Sequence, residues 1–69
     1  SAAAHELLSD REMQTLVLIA EGRKLSEIAE RLSLSPKTVS VYRARVLEKL
    51  ALSSNAEIAT YAMRNGLID

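Results

Sequence analysis

Residues 28–50, IAERLSLSPKTVSVYRARVLEKL, constrain this chain more than any other stretch. Ile28, Ala29 and Leu32 fall at i, i+1 and i+4, one stripe of a short helix, and Val39, Tyr42, Val46, Leu47 and Leu50 form a second helical stripe. Between the stripes stands Ser33-Leu34-Ser35-Pro36, where one helix must stop and another start. The Ser35 hydroxyl suits an N-cap, and Pro36 suits the first helical position because its missing N–H would have no intrahelical partner there. Two helices joined by so short a turn make a helix-turn-helix. Ala29 and Val39 let the two axes approach closely, and Leu34 is expected to plug the corner.

The remaining elements extend the same pattern. Ser9 and Glu12 read as a capping box, S-x-x-E, with Leu8 ahead of it, opening a helix over about residues 10–21 that Gly22 ends. Its stripe is Leu16, Ile19 and Ala20, with Thr15 at the edge. A second helix is expected over residues 25–32 and a third over 36–51. Ser54 and Glu57 form another S-x-x-E box for a fourth helix over 55–65, closed by Gly66, with Leu67 and Ile68 folding back on the core. No segment alternates with period two, so no sheet is expected. The fold class is all-α: a four-helix bundle with a central helix-turn-helix, over residues 8–69. Residues 1–7, opening Ser1-Ala-Ala-Ala-His5, read as a linker or an added leader outside the fold.

Size and composition narrow the function. Sixty-nine residues build one domain with a modest core, and with aromatics at 3% that core must be aliphatic. There is no cysteine, which removes disulfides and thiolate metal sites. His5 has no second metal ligand at suitable spacing and reads as solvated. The longest apolar run, residues 16–20, is far short of the roughly 20 residues that span a bilayer. Neither a basic start nor an apolar segment of signal-peptide type opens the chain. No His stands beside a Ser or Cys, and no glycine-rich phosphate loop is present, so catalysis is not expected and no cofactor is called for. Glu27 and Glu30 share one solvent face, where they solvate rather than perform acid–base work.

Formal charge is zero, but it is unevenly placed. Residues 1–22 set Arg11 against Glu6, Asp10, Glu12 and Glu21, a balance of −3. Residues 23–50 hold Arg23, Lys24, Arg31, Lys37, Arg43, Arg45 and Lys49 against Glu27, Glu30 and Glu48, a balance of +4. Residues 51–69 return −1, from Arg64 against Glu57 and Asp69. The positive charge sits on the helix-turn-helix, the footprint of a module that binds through phosphates. Taken alone, the same charges also fit an ordinary solvated helix surface.

A helical wheel sorts the third helix. Val39, Val46 and Leu50 share a core sector flanked by Tyr42 and Leu47, and the opposite sector holds Lys37, Val41, Ala44 and Glu48, with Ser40 and Arg45 at its edges. In a major groove, Ser40, Val41 and Ala44 point toward base edges, while Lys37 and Arg45 reach the margins. Arg43 lies near the core side and must snorkel to a sugar-phosphate or a neighbouring carboxylate. Thr38, near the helix N-terminus capped by Ser35, has a hydroxyl placed to hold a phosphate. Tyr42 either packs with its hydroxyl outward or donates to a phosphate. Met13 and Val17 either add to the core or form an apolar strip for another domain.

The stretches LSDRE at 8–12, IAEG at 19–22, EIAERL at 27–32, SPKTVSVYRARVLEKL at 35–50 and AEIATYAMRNGLI at 56–68 resemble the LuxR-type helix-turn-helix domain of bacterial NarL/FixJ response regulators. The resemblance covers nearly the whole chain after the alanines. It implies a cytoplasmic transcription regulator whose output domain binds double-stranded DNA in the major groove behind a receiver domain. It further implies that copies pair on DNA through the last helix, with RNA polymerase a further partner. By motif, Ser40, Val41 and Ala44 match base-facing positions, and Lys37, Thr38, Arg45 and Lys49 match positions near the backbone. Three departures stand out. Lys24 occupies the usual Ser or Thr cap of the second helix, so that the cap moves to Ser26 or is lost. Ser33 stands where a turn glycine is common. The base-facing centre is Ser, Val and Ala rather than long polar side chains, which favours thymine methyls and groove shape over bidentate readout. A helical protein-interaction module is the alternative reading, and a sigma-factor promoter region a third, disfavoured by the SPKTVSVYRARVLEKL run and the NAEI that follows.

Overall fold

The computed structural model describes residues 3–69. They form a 3-10 turn, Ala4–Leu7, and four α-helices: α1, Asp10–Ala20; α2, Leu25–Leu32; α3, Pro36–Leu50; and α4, Asn55–Arg64. No strand occurs among the described residues, in agreement with the all-α expectation. The helix starts follow side-chain chemistry. At α1, Ser9 Oγ accepts from Glu12 N at 3.2 Å while Glu12 Oε1 accepts from Ser9 N at 2.8 Å, a complete capping box. At α3, Ser35 Oγ accepts from Thr38 N at 3.1 Å with Pro36 in the first position.

The other two starts lack a complete box. At α2 the side-chain cap is lost, one of the two outcomes expected, and it does not move to Ser26. Lys24 is the N-cap without a side-chain acceptor, and Glu27 reaches back to accept from Lys24 N at 3.4 Å, half of a box. At α4, Ser54 Oγ accepts from Glu57 N, but the Glu57 carboxylate turns to the N–H and hydroxyl of Ser53, at 2.5 and 2.6 Å. Those two bonds stabilise the ionised form and hold the Glu57 carboxyl below its usual range, the hydroxyl contributing most.

All four helices stop in the same way. Gly22, Ser33, Ala51 and Gly66 take left-handed backbone, at φ 87°, 56°, 55° and 68°. The next N–H then bonds back five residues: Arg23 to Leu18, Leu34 to Ala29, Leu52 to Leu47 and Leu67 to Ala62, at 2.8–3.1 Å. This is the Schellman closure, and in three of the four the residue that follows is a leucine packed on the core. The third helix therefore ends at Leu50, one residue before the expected Ala51, because Ala51 supplies the left-handed cap.

The core is aliphatic: Leu16, Ile19, Ile28, Ala29, Val39, Val46, Leu50, Ile58 and Ala62 are all buried. Thr15, expected at the edge of its stripe, is fully buried, and its hydroxyl donates to Arg11 O at 2.8 Å. Leu34 plugs the corner, and Leu67 and Ile68 fold back as expected. Met13 and Val17 are half-buried and pack against the core. The lead-in is a correction. Residues 4–7 are organised against α3 and α4, and His5, half-buried rather than free in solvent, has a partner: its N–H donates to the Tyr61 hydroxyl at 3.0 Å, and its Nδ1 lies 3.0 Å from the same oxygen. Ser1 and Ala2 of that lead-in lie outside the described residues.

Candidate nucleic-acid interface

Three buried side chains aim α3. Val39, Val46 and Leu50 lock one face into the core, so the far face is displayed whatever its chemistry. Lys37, Ser40, Val41, Ala44, Arg45 and Glu48 are all exposed on it. Val41 is 42% exposed, an apolar side chain held in water in the middle of a polar strip. Nothing inside the domain requires it there, and burial against a partner would recover that area. Lys37 and Arg45 form no ion pair among the described residues, so both charges remain available outward.

The flanks of α3 carry the remaining expected residues. Thr38 is half-buried, its N–H held by Ser35 and its hydroxyl 2.9 Å from Ser35 Oγ, which fixes both groups at the helix start. Tyr42 is half-buried on the core flank. Arg43 reaches neither a carboxylate nor open solvent alone; its Nε donates to Asn55 Oδ1 at 2.7 Å, joining α3 to the first residue of α4.

Lys49 does not join the outward set. Its ammonium donates to Glu12 Oε1 at 2.7 Å and to Leu7 O at 3.2 Å, tying the end of α3 to the start of α1 and the N-terminal turn. Glu12 is only 2% exposed, and the Lys49 bond is the largest of the influences that hold its carboxyl below the usual range, ahead of the Ser9 N–H. A buried carboxylate needs such a partner, so the lysine nearest to it is spent on the fold. Sequence reasoning placed Lys49 near the DNA backbone by motif resemblance alone, and a partner 37 residues away leaves no local trace. It missed Asn55 altogether, since a contact twelve residues away leaves no periodic trace.

The arrangement is a basic helix displayed by a helix-turn-helix, with small side chains at its centre and cations at its margins. That fold and site define a DNA-binding regulatory domain and not an enzyme. The chain belongs to the luxR family of bacterial regulatory proteins: the family model, GerE, matches residues 6–62. Among its relatives are response regulator GacA of Pseudomonas viridiflava, 47% identical over 64 residues, and response regulator UvrY of Escherichia coli K12, 47% identical over 60. The matches cover 93% and 87% of this chain but only 30% and 28% of the relatives, so it spans about three-tenths of their length.

Proposed function

We propose that this domain is the sequence-reading output module of a two-component response regulator, working on double-stranded DNA in the bacterial cytoplasm and joined to a receiver domain. The carrying observation is the exposed centre of α3, where Val41 stands in water among Ser40, Ala44, Lys37 and Arg45. In a major groove, Ser40, Val41 and Ala44 face base edges, with Val41 and Ala44 against thymine methyls. Lys37 and Arg45 contact phosphate or guanine edges at the margins, and Thr38 supports them at the helix start. The small, largely apolar centre supplies few strong contacts, so one copy binds weakly, and two copies pair through α4 to gain affinity and site choice. RNA polymerase is the further partner that such a regulator addresses.

Binding to duplex DNA measured across a salt series tests this reading. Affinity falls steeply from low to moderate salt if phosphates dominate; a flat response, or no binding at low salt, refutes it. Val41→Ala relaxes preference at one base pair and leaves the salt slope unchanged, whereas Arg45→Ala lowers the slope. A uniform loss for Val41→Ala on every sequence would remove it from base readout.

A further inference from the structure

Beside α3 lies a cleft of about 270 Å³ between the end of α1, the start of α2 and the start of α4. Ile19 and Ile28 line it together with polar Arg23, Ser40, Arg43 and Asn55. Its two arginines are not equivalent. Arg23 is paired with Glu27 at 3.1 Å, so its charge is largely balanced. Arg43 is held by an acceptor that carries no charge, at 2.7 Å, so its guanidinium is oriented yet keeps its full positive charge. The bond engages Nε, the inner nitrogen, and leaves the two terminal NH₂ groups to present paired donors to an anion.

The helical wheel gives this cation its place. Arg43 and Ser40, three residues apart, share one edge of α3, whereas Thr38 and Arg45 share the opposite edge. A helix in the major groove is bordered by a sugar-phosphate strand on each side. We infer that Asn55 is a positioning residue that holds Arg43 as the phosphate contact on the second edge of the reading helix. The inference rests on the DNA reading proposed above. It makes the first residue of α4 part of the machinery that sets DNA affinity, so a change at the α4 start reaches the DNA through one side chain.

The test is a double-mutant cycle on the 69-residue chain, with a duplex of random sequence titrated across salt concentration. Arg43→Ala reduces the slope of log affinity against log salt by about 0.9, one phosphate contact. Asn55→Ala leaves the arginine charged, so the slope is nearly kept while affinity falls about threefold to tenfold, the range for one hydrogen bond. In the Arg43→Ala background, Asn55→Ala has no further effect. Asn55→Ala still unfolds in urea as one cooperative transition, because Ser54 still caps α4, so any affinity loss is read on a folded domain. An Asn55→Ala loss of equal size with or without Arg43, or an Arg43→Ala variant with unchanged slope and affinity, overturns the inference while leaving the DNA reading intact. Failure of the parent chain to bind at low salt overturns both.

Discussion

Glu12 carries more of this domain than its place in a capping box suggests. One carboxylate oxygen accepts from Ser9 N and from Lys49 Nζ, and the side chain is almost wholly buried. Lys49 remains about one-third exposed, so water shares its charge and the pair is worth less than a fully buried one. Lys49→Met keeps the apolar stem but strands the carboxylate, at an expected cost of about 1–3 kcal/mol in urea unfolding at neutral pH. The pH dependence follows from the direction of the shift. The folded carboxyl titrates below its unfolded value of 4.5, so its contribution is complete above that pH and disappears as pH falls through the folded value. Acid unfolding of Lys49→Met should begin at higher pH than in the parent; coincident acid transitions would show that Glu12 gains nothing from the lysine.

Among the elements, the helix ends hold the clearest unused stability. Ser33 and Ala51 sit at φ 56° and 55°, where a Cβ is disfavoured by roughly 1–2 kcal/mol. Glycine at either position removes that strain and keeps the bond to the carbonyl five residues back. Ala51→Gly is therefore expected to add about 1 kcal/mol, less some unfolded-state entropy, seen as a rise of about 4–8 °C in Tm. Gly22→Ala is the converse. A Cβ there meets nothing within 4 Å, so any loss comes from the backbone at φ 87° alone. Thermal melts that move Ala51→Gly and Gly22→Ala in the same direction would contradict this account.

For the whole molecule, the N-terminal turn is a brace across both ends of the chain. The Tyr61 hydroxyl receives the His5 N–H, and the rings meet edge to face with centroids 5.9 Å apart, while Leu7 O receives Lys49. The turn thus joins α3, which displays the basic face, to α4. Tyr61→Phe keeps the ring packing and removes the acceptor, so it should cost about 1 kcal/mol and speed exchange of the His5 amide with solvent. Unchanged exchange at His5 would show that the brace is held by packing alone.

Local chemistry made much of the fold legible. Stripes at helical spacing named the core of α2 and α3, Ser9 and Ser35 marked helix starts, and Gly22 and Gly66 marked two ends, because periodicity and capping act over one or two turns. The exposed strip Lys37, Ser40, Val41, Ala44 and Arg45 was readable for the same reason, as the far side of a helix whose core face was plain. The ends at Ser33 and Ala51 were not, since neither residue advertises positive φ. Nor were the partners of Lys49, Arg43 and His5, which lie 37, 12 and 56 residues away. Whether a cation is free to meet a phosphate or is consumed by a buried carboxylate depends on which helices cross beside it. Packing decides that, by setting which charges must be satisfied inside the domain before any can act outside it.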